Sequence, residues 1–199
     1  MLTEIRNKFK FFEDVLGKIF FKTGLTANQF TLISVVFAFV SFYFLINLNF
    51  ILAFVLFILA GILDIIDGAV ARKTGEVSNK GAYLDTICDR YVEGIVLLGF
   101  FFLPLTHFFL SPEIWIGLSF LGGLMTTYAK AAAKEKELRM EKPAPAFFGR
   151  TERIISIAIA IFLGIFDITL VIYPIIILAI FSNLSALQRV FLSFNPAQN

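Results

Sequence analysis

Residues 24–71 contain only two charged side chains, Asp64 and Asp67. The hydrocarbon core of a bilayer is ~30 Å thick and takes about 20 helical residues to cross. This stretch is therefore long enough for two crossings, and apolar runs of that length belong to integral membrane proteins. Composition agrees. The chain of 199 residues is 58% hydrophobic and 16% charged, with 26 phenylalanines, against about 45–50% apolar and 25% charged in soluble domains.

Read for length and for breaks at proline and polar clusters, the chain offers six candidate spans, near 28–47, 51–72, 82–105, 114–133, 152–166 and 168–188. Pro104 and Ser111–Glu113 interrupt spans three and four, Pro143 and Pro145 lie in the linker after span four, and Phe166–Asp167 forms a very short turn before span six. Residues 1–23 mix basic residues with Phe9, Phe12, Leu16, Ile19 and Phe20 at helical spacing. They read as an amphipathic helix on a membrane surface rather than as a cleaved signal. The expected fold is thus all-α: an interfacial N-terminal helix (1–23), a six-transmembrane-helix domain (24–194) and a short tail (195–199).

The 17 lysines and arginines are distributed unevenly. Five precede the first span, and Arg72, Lys73, Lys80 and Arg90 lie around the junction of spans two and three. Seven fall between Lys130 and Arg153, and Arg189 follows span six. The loops near 47–50, 105–113 and 166–168 carry none. By the positive-inside rule both termini face the cytoplasm, as does the end of the bundle that bears the aspartates. The expected location is the cell membrane, crossed several times. Net charge is only +2, which gives no indication of a nucleic-acid partner. Cys88 is the only cysteine, so an intrachain disulfide is excluded and the residue reads as small packing. His107, the only histidine, falls in a loop on the opposite side, and Trp115 reads as an interfacial anchor.

Four aspartates sit within this apolar setting, in the stretch DIIDGAVARKTGEVSNKGAYLDTICDR. Asp64 and Asp67 (i, i+3) lie roughly 60° apart on one helix face, and Asp85 and Asp89 (i, i+4) roughly 40° apart on another. The short loop between Lys73 and Lys80 lets the two helices pack antiparallel, so the two pairs can meet at one level. Four converging carboxylates repel strongly in low dielectric, and divalent cations remove the problem. Hard oxygen ligands suit Mg²⁺, Mn²⁺ or Ca²⁺ rather than zinc, and four acids suffice for two ions. Gly68 leaves room for a ligand at the backbone, Arg72 is placed to clamp a phosphate, and Ser78 offers a hydroxyl in the loop. Metal ions plus an arginine on the cytoplasmic side describe a phosphoryl-transfer site.

The pattern DxxDGxxARx₈GxxxDxxxD resembles the signature of the CDP-alcohol phosphotransferase family. It is matched here at Asp64, Asp67, Gly68, Ala71, Arg72, Gly81, Asp85 and Asp89. The resemblance implies an enzyme that displaces CMP from a CDP-linked lipid with an alcohol hydroxyl. It implies Asp64, Asp67 and Asp85 as principal metal ligands, Asp89 as ligand and general base, and Gly68, Arg72 and Ser78 as contacts of the CDP group. GLTANQFT, residues 24–31, is similar to the family's polar motif before the first span, which makes Asn28 and Thr31 nucleotide-side contacts; Ala27 stands where the family usually has proline. The implied cofactor is Mg²⁺, as two ions, with Mn²⁺ a substitute. The implied assembly is a homodimer.

The acceptor is addressed by other residues. Lys130, Arg150, Arg153 and Arg189 cluster at the ends of spans four, five and six. Such a ring asks for an anionic acceptor. YAK…GRTER…LQR resembles the branch of phosphatidylinositol-phosphate and archaetidylinositol-phosphate synthases, which implies that these cations bind the phosphate of inositol phosphate. Glycerol phosphate satisfies the same electrostatics. Glu93, one turn beyond Asp89, is a partner for the metal ligands, for Arg90 or for Arg153. The lipid tail is not readable, since CDP-diacylglycerol and CDP-archaeol share a head group. A cation transporter or channel is the competing class. It accounts for the acids but not for Gly68, Arg72 and the cation ring.

Overall fold

The computed structural model describes residues 16–17, 19–138 and 147–194. Most of the expected interfacial helix (Phe9 and Phe12 among it) and the tail lie outside these residues. The described part is helical without a named strand. Its elements are α1 (Ala27–Ile46), α2 (Phe50–Thr74), α3 (Asn79–Phe100), α4 (Pro112–Glu135), α5 (Arg150–Gly164), a 3₁₀ turn (Ile168–Val171) and α6 (Ile172–Phe194).

Each boundary has a local cause. Thr26 caps α1 in a reciprocal box: its Oγ1 accepts from the Gln29 amide at 3.4 Å, and Gln29 Oε1 accepts from the Thr26 amide at 2.8 Å. Asn49 caps α2 through the Leu52 amide at 3.1 Å. Gly75 ends α2 with φ 74°, a left-handed conformation that glycine adopts without strain. Ser78 then caps α3 through the Gly81 amide at 3.1 Å. Helix α3 starts at Asn79 rather than near 82 because of this cap. It ends at Phe100 rather than 105, since the residue before Pro104 disfavours helical backbone. Pro112 opens α4 where its missing amide costs nothing. Helix α6 runs on to Phe194, so Arg189 lies within the helix and not after it.

Among the described residues, three helical stretches are individually long and apolar enough to cross a membrane: α1, α2 and the 27 residues of the 3₁₀ turn with α6, with mean hydropathies of 2.1, 2.6 and 2.2. Helices α3, α4 and α5 carry the charged chemistry at one end of the bundle, and α5 has only 15 residues. Large apolar side chains such as Val36, Phe39, Val55, Ile58, Leu98, Phe162 and Ile180 are exposed on the outside. Such a surface is stable against lipid tails rather than water. The protein is a multi-pass, all-helical membrane protein.

Helix α1 packs against α2 and α3, α4 packs against α6, and α5 bridges the two groups through α6 and α2. Without a hydrophobic drive between helices in lipid, close approach and cross-helix hydrogen bonds do the holding. Ser41 Oγ donates to the Ala53 carbonyl at 2.8 Å across α1–α2. Ser119 donates to Ile175 O at 3.1 Å and Asn183 to Leu118 O at 2.8 Å across α4–α6. Gly122 lets α4 approach that closely, because a Cβ there would sit 2.7 Å from Asn183 Nδ2. Leu16 and Phe20 pack on Phe30, Ile66 and Val70, which ties the end of the N-terminal segment to the bundle. Cys88 is buried as packing, His107 lies in an exposed loop, and Trp115 Nε1 donates to the Phe108 carbonyl at 2.9 Å.

Candidate active site

Helices α2 and α3 are joined by residues 75–78 and bring the two aspartate pairs together. One carboxylate oxygen from each of Asp64, Asp67 and Asp85 lies within 4.8 Å of the others. Asp67 is the most buried of the three and is held by Thr31, whose Oγ1 donates to its Oδ2 at 2.6 Å. The donor set is all hard oxygen and converges from two helices, so it fits Mg²⁺ or Mn²⁺. Asp89 is not part of that group. Arg150, at the start of α5, takes it instead: Nη2 lies 2.6 Å from Asp64 Oδ1 and also meets Asp89 Oδ1. The two aspartate pairs thus meet, but not as one even group of four. Three face one another, and one is tied with Asp64 to an arginine from a different helix.

Beside the carboxylates lies a cleft of about 320 Å³, lined by Asn28, Thr31, Asp67, Gly68, Arg72, Ser78, Gly81 and Asp85 among others. Every residue expected to contact the CDP group borders it. Two of them also have structural duties. Ser78 spends one oxygen lone pair on the α3 cap, which leaves its hydroxyl proton for a ligand. Gly81 keeps the floor low, since a Cβ there would lie 3.3 Å from Ser78 Oγ and 3.5 Å from Asn28 Oδ1. Glu76, Val77 and Ala82 also line it and were not singled out in the sequence. A second cleft, of 300 Å³, starts at Asp64 and Arg150 and continues along Ser34, Phe57, Ala60, Gly61 and Ile154, so it is polar at one end and apolar along its length.

The four cations expected to bind an anionic acceptor are not equivalent. Arg150 is bound to the aspartates, as above. Arg153 is 2% exposed and spends its Nε on Glu93 Oε1 at 2.7 Å. Arg189 Nη1 donates to the Thr126 carbonyl at 2.6 Å and feels the charge of Arg153. Lys130 is exposed on α4, one helical turn beyond Thr126. Arg153 and Arg189 therefore come together between α4, α5 and α6, Lys130 lies exposed on the same face of α4 as Thr126, and Arg150 reaches the acids. The partner left open for Glu93 is resolved as both arginines, since Arg90 Nη1 also lies 2.7 Å from Glu93 Oε2.

Comparison with known proteins gives the same direction. The family model described as CDP-alcohol phosphatidyltransferase matches residues 24–190. The archaetidylinositol phosphate synthase of Pyrococcus horikoshii is 32% identical over 192 residues, 96% of this chain and 95% of that one. The crystal structure of Mycobacterium tuberculosis phosphatidylinositol phosphate synthase with CDP-DAG bound is similar in fold, with a TM-score of 0.78 at 20% identity, covering 92% of this chain and 93% of that one. The structure of the same enzyme with manganese and citrate matches with a TM-score of 0.78 at 21% identity, over 92% and 88% of the two chains. With the aspartate signature on facing helices and the family match running across nearly all the described residues, the chain belongs to the CDP-alcohol phosphatidyltransferase family.

Proposed function

We propose that the protein transfers the phospholipid moiety of a CDP-linked lipid to the hydroxyl of inositol phosphate, releasing CMP. The observation that carries this reading is the sequence of surfaces around the acids: a cleft lined by Asn28, Thr31, Gly68, Arg72 and Ser78 on one side, and the Arg153–Arg189 pair on the other. A donor head group and an anionic acceptor need such places on opposite sides of the reacting phosphorus. The name of the Pyrococcus horikoshii relative supports inositol phosphate over glycerol phosphate.

In this reading Asn28, Thr31, Gly68, Arg72 and Ser78 hold the CDP group, and Asp64, Asp67 and Asp85 hold divalent cations, with Asp89 completing the set. Mg²⁺ is the assigned ion and Mn²⁺ a working substitute. Bound divalent cations supply neutralisation of the pyrophosphate and of the departing CMP. Asp89 takes the proton of the acceptor hydroxyl as its oxygen bonds to the lipid-side phosphorus and the bond to CMP breaks. Lys130, Arg153 and Arg189 orient the acceptor through its phosphate, with Arg150 between the two halves of the site. The cleft along Phe57, Ala60 and Ile154 suits a lipid chain entering from the bilayer. The tail is taken as either diacyl or archaeal ether.

The same reading assigns six crossings to α1–α6, residues 24–194 to the catalytic domain, residues 1–23 to an interfacial helix and 195–199 to a tail. It places both termini and the site on the cytoplasmic side of the cell membrane, and a homodimer as the working unit. The test is an acceptor panel of inositol phosphate, glycerol phosphate, serine and free inositol, scored by CMP release from CDP-diacylglycerol or CDP-archaeol in Mg²⁺. Inositol phosphate is expected to be the best acceptor. Faster turnover of glycerol phosphate moves the assignment to that acceptor, and cation flux in proteoliposomes without CMP release from any pair sinks it altogether.

A further inference from the structure

Glu93 stands on α3 one turn beyond Asp89, 4% exposed, between two arginines. Its Oε1 accepts from Arg153 Nε at 2.7 Å, and its Oε2 from Arg153 Nη2 at 3.4 Å. Oε2 also pairs with Arg90 Nη1 at 2.7 Å. One carboxylate thus bridges two guanidiniums, and Asp89 is the further acid that Arg90 feels. Of the two arginines, Arg153 is the one that also feels Arg189, on the side where an anion would find two guanidiniums together.

The space for this arrangement comes from α4. A Cβ on Gly123 would lie 2.8 Å from Glu93 Oε1 and 3.6 Å from Arg153 Nε. Glycine at 123 therefore lets the carboxylate lie flat against α4 and grip the Nε–Nη2 edge of Arg153. That grip fixes the rotation of a side chain with many rotamers, and it leaves Nη1 on the opposite edge. Arg189, anchored on Thr126, lies on the same side of the bundle. A guanidinium held at a set angle meets a phosphate without first losing its rotamer freedom.

We propose that Glu93 is a positioning residue: with Arg90 and the space at Gly123, it orients Arg153 and so sets the preference for a phosphorylated over an unphosphorylated acceptor. This rests on the acceptor assignment above. Arg153 touches the acceptor; Glu93 acts through it.

The experiment uses the full chain in detergent with Mg²⁺ and CDP-diacylglycerol, and with inositol phosphate or free inositol as acceptor. Gly123→Ala removes no charge and pushes the Glu93 carboxylate off its grip. It is expected to raise KM for inositol phosphate by roughly tenfold or more, the loss of one charge-assisted contact. KM for CDP-diacylglycerol and kcat should change by less than about twofold. The calorimetric Kd for inositol phosphate without donor should rise in parallel. Adding Glu93→Asp to Gly123→Ala shortens the carboxylate away from the new methyl group and should recover part of the loss. Glu93→Gln should lose the preference for inositol phosphate over free inositol; if it fails to fold, Gly123→Ala and its rescue decide. Equal effects on both KM values, or a fall in melting temperature with unchanged kinetics, overturn the positioning role and leave a structural one. A wild-type enzyme that uses free inositol as well as inositol phosphate overturns the acceptor assignment and this inference together. A wild-type preference that both variants leave intact overturns the inference alone.

Discussion

Arg150 and a divalent cation are predicted to compete for Asp64, and Arg150→Gln tests this. Arg150 Nη2 is 2.6 Å from Asp64 Oδ1 and also meets Asp89, with the arginine side chain 36% exposed and those of the two acids 23% and 11%. Exposed pairs contribute about 0–1 kcal/mol, and breaking a buried one costs about 3–5 kcal/mol. Two contacts of intermediate burial fall between, at about 2 kcal/mol. The same Asp64 belongs to the group of three carboxylates that fits a cation. If the ion takes Asp64 from Arg150, the arginine's contribution is lost when metal binds, and linkage makes the effect reciprocal. Removing Arg150 should then destabilise the metal-free protein by about 2 kcal/mol and tighten Mn²⁺ binding by roughly 30-fold, the same free energy read twice. The assays are a Mn²⁺ titration followed by the paramagnetic resonance of free ion, and thermal unfolding in detergent with and without saturating Mn²⁺. The variant should melt lower without metal, and the gap should close with it. Weaker Mn²⁺ binding in Arg150→Gln, with a melting gap that persists at saturation, would refute the competition and make Arg150 a support of the ion site.

Other outcomes follow from single contacts. Asp89→Asn should cut CMP release by about 10²–10⁴-fold, the usual contribution of a general base, while CDP-diacylglycerol still binds; loss of donor binding with intact turnover contradicts the role. Gly164→Ala places a methyl group on the Phe50 ring, far from the site. It should lower stability by about 1–3 kcal/mol through overpacking, read as a fall in melting temperature, with kcat per folded molecule unchanged. Asp167 accepts from the Thr169 amide at 2.8 Å, and this bond holds its carboxyl below the usual carboxylate range. Its stabilisation is therefore present above the unfolded carboxylate pKa, near 3.9, and fades as pH falls through the lower folded value. Asp167→Asn should keep the cap and flatten that acid limb of a melting-temperature profile.

The parts of the site that repeat along one helix were legible in the sequence, and the parts that depend on neighbouring helices were not. Asp64, Asp67 and Asp85 follow from the helical period and one short loop, and Asn28, Thr31, Gly68, Arg72 and Ser78 line one cleft as their motifs imply. Helix ends moved where a cap or a proline set them, at Ser78 and before Pro104, and α6 ran on past its expected end to Phe194. The cations behaved differently. Arg150, Arg153 and Arg189 read alike as positive residues near span ends. Yet one meets Asp64 and Asp89, one Glu93, and one the Thr126 carbonyl. Those partners lie 86, 60 and 63 residues away for the contacts with Asp64, Glu93 and Thr126. Helical periodicity carries no information across such separations. One local clue was the Gly122–Gly123 pair inside the fourth span, since small residues in lipid mark where helices touch. Gly122 meets α6, and Gly123 meets the Glu93–Arg153 pair, so the two glycines face different neighbours with different consequences. A methyl group at 122 strikes Asn183 of α6 and should separate the helices. A methyl group at 123 strikes only the end of a side chain, so its effect should reach the chemistry of the acceptor before it reaches the fold.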